Sequence, residues 1–521
     1  MIWNPACGGR FGKTLRSGRG FQNVRGDCLR YLRSGGGSAK LVMMKSVAPA
    51  IALLFSFLMP LSARTWKQAA SGKVIEADLV KVESGKVHLK MADGRTGVVE
   101  ILSLSLEDQE FLASVEKGGA SGGAAGWPAF RGPKGDDISP DTGLLKEWPA
   151  DGPKKVWTYD QAGMGYSGCS LAGGKLYTMG TRGDDVTMVC LDAATGKEVW
   201  ATAFGKDDQQ GYAAGWGHGP RSTPTVSDGL VFGLDPKGVL VCLNAGDGKK
   251  VWEKHLVTDF QGQMGGWGFS ESPLVDGEKL VIAPGGKESG MVALDKKSGE
   301  VIWKASDLKP GKAEYATILV AEINGIRQYI KLFEGEVAGV AAEDGRVVWS
   351  SPWGGKTAVI PTPIVDGNEV YVSSGYGVGC KLIKIGSDNQ ASDVWQNKEM
   401  VNHHGGVVKV GGHLYGFSDA KGLICQDWKT GAMVWNEKGQ FTLKGAVHVA
   451  DGHLYALNED DGTLTLVEIS PDGYKQKGRF KLDPQSPNRN PKGKVWTHPV
   501  VIDGRLYLRD QEFVVSYDVK G

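Results

Sequence analysis

Seven times between Leu191 and the C-terminus the chain returns to one phrase, a turn of the type Asp-x-x-Thr-Gly-Lys followed by a β-branched residue and usually a tryptophan. The clearest copies end at Trp200, Trp252, Trp303, Trp349 and Trp435, a looser one ends at Trp395, and another reaches Phe480 through SPDGYKQKGRF. Successive anchors are separated by 52, 51, 46, 46, 40 and 45 residues. That is the period of a four-stranded propeller blade rather than of a helical solenoid.

At 521 residues, length alone would imply about three domains, but a propeller is one closed body and the repeat outranks the length. The 77 glycines are what many short strands joined by tight, positive-φ turns require. Residues 1–63 hold nine Lys and Arg against the single acid Asp27, so the formal net charge of +1 hides a remainder of −7. A mildly acidic body without a Lys/Arg tract argues against a nucleic-acid partner.

Met44-Lys45 followed by SVAPAIALLFSFLMPLSA reads as a secretory signal spanning about 44–63, cleaved near Ala63, which predicts a periplasmic or secreted protein. The apolar run is short for a bilayer span, so no transmembrane segment is expected in the mature chain. Beyond the leader stand Cys169, Cys190, Cys242, Cys380 and Cys425. Three of them, Cys190, Cys242 and Cys425, precede the Asp or Asn of the repeat turn by two residues. Equivalent positions on different blades are too far apart to bridge, so these thiols are read as small buried hydrophobes.

Residues 64–115 stand outside the repeat. Alternating runs from Val74, Lys86 and Thr96 predict three short strands, with Asp93-Gly94 as a hairpin turn. A helix should follow, capped by Ser105 with Asp108 three residues on. Through Arg64, Trp66, Gly72, Ala77, the Asp93-Gly94 turn and the Leu106-to-Phe111 segment, this stretch resembles the SH3-like Sla-one homology module. The resemblance implies a small β-barrel serving as a protein-binding accessory or a spacer. EKGGASGGAAG, 116–126, is a flexible linker by composition, and 127–521 is the propeller region.

The Lys155–Tyr159 run has the look of an outer, Trp-bearing strand without inner strands before it, whereas the segment from His498 offers three strands and lacks a fourth. Joining them closes an all-β ring of eight blades and removes exposed sheet edges. Seven blades would remain only if the copy around Trp395 or Phe480 were not a blade. Inner hairpins such as STPTVSDGLVFGL from Ser222 and PTPIVDGNEVYVS from Pro361, together with the Trp-ended strands, resemble the pyrroloquinoline-quinone-type repeat. That repeat occurs in quinoprotein alcohol dehydrogenases and in the assembly lipoprotein BamB. The repeat tryptophans are read as packing devices.

In a four-stranded meander the turns between strands one and two and between strands three and four share one face. The opposite face then carries the loops around Trp216, Trp267, Trp353, Val401 and Lys494, and those around Glu334, Tyr376 and Arg509. Aromatic, His, Arg and acidic residues concentrate there, and irregular loops on a regular frame are where binding groups gather. Candidate ligand-binding residues are therefore Trp216, His218, Arg221, Trp267, Glu271, Glu334, Tyr376, Asn402, His403, His404, Trp496, His498 and Arg509. Trp216 and Trp267 lie outside the packing register and could stack on a quinone, a sugar or a peptide ring. Arg221 suits a carboxylate. Adjacent His403 and His404 lack a Cys or carboxylate at ligand spacing, so no metal is assigned.

Two functions fit these features. The first is an extracytoplasmic binding or scaffolding propeller that holds an unidentified protein or small molecule at one face. The alternative, implied by the resemblance, is a soluble dehydrogenase that uses pyrroloquinoline quinone with calcium to oxidise an alcohol, polyol or sugar, with Glu271 or Asp510 as the proton-accepting carboxylate. A vicinal Cys-Cys pair and a CxxCH haem motif, both associated with such dehydrogenases, are absent from the sequence.

Overall fold

The computed structural model describes residues 64–67, 73–83, 86–91, 95–105, 126–441 and 443–521. The leader, the helix expected after Ser105 and most of the linker lie outside these residues. The chain divides into two units, 1–100 and 101–521.

The first unit contains strands Arg64–Lys67, Val74–Glu83, Lys86–Met91 and Thr96–Glu100, which pair in chain order as an antiparallel meander. The three expected strands are present, preceded by a fourth. Period-two patterning turns Val87 and Leu89 inward. Trp66 is fully buried and its indole N–H donates to Ala77 O at 2.9 Å.

The second unit holds eight four-stranded antiparallel blades. The first runs from Ser170 to Lys206, the second from Thr225 to His255, the third from Leu274 to Ala305 and the fourth from Leu319 to Pro352. Ile364–Asn397 form the fifth, Val407–Glu437 the sixth and Gly445–Lys481 the seventh, so the copies around Trp395 and Phe480 are both blades. In the eighth, Val500–Ile502, Arg505–Asp510 and Phe513–Asp518 receive Lys154–Tyr159 as their outer strand, with Ser516 opposite Trp157. The two ends of the propeller sequence thus close one blade.

The recurring phrase has a packing reason. In five of its copies the tryptophan reaches the following blade, as Trp252 Nε1 does to Lys296 O at 2.9 Å, and Trp157 of the closing strand reaches Ala193 O in the same way at 3.0 Å. The turn glycine of that next blade lies against the ring. A Cβ on Gly196, whose φ is +71°, would come within 2.6 Å of the Trp157 ring, so both backbone conformation and space require glycine. Trp349 is the exception. The fifth blade carries GSDNQAS in place of the Thr-Gly turn, and the Trp349 indole bonds Gln328 Oε1 at 2.7 Å within its own blade. Among the described residues the five cysteines are buried and unbridged.

One segment was not anticipated. Trp127 exchanges hydrogen bonds with Leu171 in the innermost strand of the first blade, and Pro128 O accepts from Val226 N in that of the second. Arg131 donates to Val407 O in the sixth at 2.8 Å, and Ile138-Ser139 pair in parallel with Val449-Ala450 in the seventh. Residues 127–139 therefore cross the axis of the ring and plug it. The plug is held by charge as well as by backbone. Buried Asp137 faces Arg131 at 3.5 Å and His448 Nδ1 at 2.9 Å. Val501 N–H donates to His448 Nε2, which leaves the imidazole proton on Nδ1 to be donated to Asp137. Burial opposes ionisation of Asp137, but Arg131, His448 and His498 outweigh it and hold the carboxyl well below its ordinary value.

Candidate functional site

Above the plug, on the face opposite the Asp-Gly turns, lies a cavity of about 560 Å³. This is within the range of small-ligand sites, roughly 300–1,000 Å³. Phe130 of the plug contributes to its floor. The wall comes from the loops that enter successive blades. Each loop leaves an outer strand and must return to the axis to begin the next inner strand, so its side chains converge on the channel mouth.

Eight of the candidate residues line this cavity: Trp216, Arg221, Trp267, Tyr376, His403, His404, Trp496 and His498. They are linked by ring contacts. Tyr166 and Trp496 have centroids 4.9 Å apart, Trp496 and His404 6.1 Å, and Tyr376 and His403 4.3 Å. Trp216 is 47% exposed and offers the most open aromatic surface of the set, with the Lys492 ammonium 5.8 Å from its ring centre.

Arg221 is half-buried, with its guanidinium 5.3 Å from the Tyr166 ring centre and 5.8 Å from that of Tyr212. It donates to Gly217 O at 2.7 Å and makes longer bonds to Gly219 O and Trp267 O. Among the described residues, no carboxylate is within 4.0 Å of it, whereas most other arginines of the second unit are paired. Glu459 is the one carboxylate among the described lining residues. Its Oε2 accepts from Trp496 Nε1 at 2.9 Å and lies 3.1 Å from His404 Nε2. Burial raises the cost of charging both groups. It depresses the His404 value despite Glu459, while His404 and Trp496 overcome the same penalty at Glu459 and hold that carboxyl low.

The other candidates lie outside the cavity lining. Glu271 is buried beneath the wall, where it meets Lys331 at 3.1 Å and accepts from Ala283 N at 2.9 Å. Asp510 is buried against Arg489 at 2.8 Å and accepts from Ser486 N. Arg509 is almost fully buried and spends its fork on Gln511 O, Ser167 O and other acceptors of the first blade and its entry loop. Asn402 is buried and donates to Gly406 O and Phe417 O. His218 holds Asp207 at 3.2 Å, and Glu334 pairs with Lys312 at 3.0 Å.

Several lining residues were not singled out from the sequence: Phe130, Tyr166, Tyr315, Thr357 and Lys492. Tyr166 and Tyr315 lie in the entry loops of the first and fourth blades, the same kind of position that marks Trp216 and Trp267 in the sequence. Thr357 carries φ +62° on the cavity wall, a conformation that costs a β-branched residue about 1–3 kcal/mol and concentrates at ligand sites.

The frame and the cavity bear on kinship. Residues 184–437 and 390–476 match the family model described as outer membrane protein assembly factor BamB. The chain belongs to this family. BamB of Burkholderia pseudomallei (strain K96243) is 25% identical over 322 residues, 54% of this chain and 79% of that relative. BamB of Alkalilimnicola ehrlichii is 30% identical over 165 residues, covering 30% of this chain and 39% of the relative. The crystal structure of BamB from Moraxella catarrhalis aligns with 67% of this chain and 80% of its own at 16% identity and a TM-score of 0.35. The BamB-matching stretch includes Trp216, Arg221, Trp267, Tyr376, His403 and His404, while Trp496 and His498 fall beyond it.

The lining also bears on the quinone-and-calcium reading. Its rings and Arg221 suit a planar anion, but calcium takes six to eight oxygen ligands. Glu459 is the one described carboxylate in the wall, and its Oε2 is engaged by Trp496 and His404. Among the described residues, no group of three or more His, Cys, Asp or Glu could hold a metal. The lining does not fit the calcium ion.

Proposed function

We propose that this chain is an extracytoplasmic binding propeller of the BamB family, whose working surface is the aromatic cavity above the plug. One observation carries the reading: eight side chains from four entry loops and one hairpin loop converge on one cavity, while Glu271 and Asp510, the carboxylates considered for proton transfer, are withdrawn into buried ion pairs. A surface rich in exposed rings and poor in available bases is suited to holding a partner rather than transforming it. The relatives' description as assembly factors supports a scaffolding role. The four-stranded unit at 64–100, read as an SH3-like module, would act as an accessory to that role, and the signal-like stretch before Ala63 would direct export.

The test compares photo-crosslinking from position 216, at the cavity mouth, with crosslinking from position 249, a turn on the opposite face, in cells that make the protein. Adducts specific to position 216 are expected. Equal labelling from both positions would defeat the assignment of the face. Adding pyrroloquinoline quinone with calcium to the purified protein should produce no alcohol-dependent dye reduction, and such turnover would restore the dehydrogenase alternative.

A further inference from the structure

The cavity combines three features that together specify an occupant. The first is a cation without a protein counter-charge. Arg221 keeps a planar fork at the wall with no described carboxylate in reach, and a second cation of the lining, the ammonium of Lys492, lies over Trp216. A guanidinium in this state is prepared for a carboxylate, which it can bind through two parallel hydrogen bonds.

The second is a set of hydroxyls. Thr223, Ser270, Ser272, Thr317 and Thr357 line the same cavity; Thr223 Oγ1 and Ser272 Oγ accept from the backbone N–H groups of Gly168 and Thr223 and keep their own protons to donate, while the buried Ser270 Oγ has no hydrogen-bond partner among the described residues. Hydroxyl groups donate and accept, so they complement a ligand that also carries both roles at every position. A purely aromatic acid would leave them unmatched, whereas a polyhydroxylated ring would not.

The third is the combination of exposed aromatic surface with a closed floor. Trp216 presents nearly half its surface, and the plug blocks passage along the axis. An occupant enters and leaves by the mouth, so the cavity receives the end of a chain rather than its middle. Indole faces pack well against the apolar C–H faces of a sugar ring, whose polar groups project around its edge.

We propose that the cavity binds the terminal residues of an acidic oligosaccharide of the uronic acid class, with the carboxylate on Arg221, the hydroxyls on the Ser/Thr set and a ring face on Trp216. The assignment rests on the cavity being the binding surface and adds the chemistry of what it holds.

The test titrates the full chain with trigalacturonate and with the neutral trimer maltotriose and follows tryptophan fluorescence and heat. Trigalacturonate should bind at least about tenfold more tightly, and its affinity should fall at high salt, as expected of a charge-assisted contact. Arg221→Lys, which keeps the charge and loses the fork, should raise Kd for the acid trimer about tenfold. Trp216→Ala should weaken both trimers, and Val199→Ser on the outer rim should change neither. Thermal unfolding of each variant shows whether the frame is intact. Equal affinity for the two trimers, no binding of the acid trimer, or acid-trimer binding indifferent to both Arg221→Lys and Trp216→Ala in folded protein would overturn the proposal. If position 216 crosslinks a partner while trigalacturonate fails to bind, the sugar assignment alone falls. If neither engages the cavity, the binding-surface reading falls with it.

Discussion

The indole N–H of Trp496 and the ring of His404 share one oxygen, Glu459 Oε2, at 2.9 and 3.1 Å. This joins the entry loops of the sixth and eighth blades through a carboxylate of the seventh. Its electrostatics can be tested at His404. Removing the negative charge by Glu459→Gln removes the contact that favours the imidazolium and leaves burial in control. The titration midpoint of His404, followed by NMR of its imidazole carbon-bound proton, should move lower in Glu459→Gln than in the wild type. A midpoint that stays or rises would contradict the arrangement.

The two kinds of tryptophan should separate under truncation. Trp252 is 9% exposed, packs between blades and bonds Lys296 O, so Trp252→Ala should cost about 3–5 kcal/mol. Trp216→Ala should stay within about 0.5 kcal/mol of wild type, because the ring is 47% exposed. Denaturant unfolding monitored by circular dichroism reads both.

Asp235 supplies a pH dependence of opposite sign to that of most carboxylates here. Its Oδ1 accepts from the backbone N–H groups of Lys237, Gly238 and Val239, but burial dominates and pushes the carboxyl up to about 6. A folded-state value above the unfolded one means that the native protein binds more protons between about pH 4 and pH 6. The stability contribution is full below the unfolded value and is lost as pH rises through about 6, a loss on the order of 2–3 kcal/mol. Asp235→Asn should abolish this decline in the pH 4–6 window. Thermal midpoints measured across that range in both proteins will show it.

At the plug the sign reverses. Asp137 is held below its ordinary value, so its contribution is present above about pH 4 and is lost on acidification through the lower folded value. Arg131→Met leaves that buried carboxylate with fewer partners and should destabilise by roughly 3–5 kcal/mol. The double variant Arg131→Met/Asp137→Asn should recover part of the loss. Urea unfolding of the single and double variants gives the coupling.

The frame was readable because its determinants are local and repeated. Each Trp-ended strand, Asp-Gly hairpin and Thr-Gly turn announces itself within a dozen residues, and even the closing pair of Lys154–Tyr159 with Phe513–Asp518 followed from counting incomplete blades. Eight cavity residues followed too, because they break the pattern, seven at entry loops and Tyr376 at a hairpin loop. What could not be read depends on distance. Glu271 resembles an available base until Lys331, from the neighbouring blade, is found beside it. Residues 127–139 show no strand periodicity because their partners lie in four different inner strands.

Closing the eighth blade with strands from both ends has a consequence for biosynthesis. Lys154–Tyr159 is translated well before Phe513–Asp518, a delay of tens of seconds at about 5–20 residues per second. Throughout that interval the early strand has no final partner, and Trp157 and Tyr159, buried in the finished blade, have no place to pack against it. A polypeptide halted before its last strands cannot complete the ring. The fold thereby makes the finished C-terminus a condition of its own assembly, and prematurely terminated products remain recognisable to proteases and chaperones by the unpaired edge they expose.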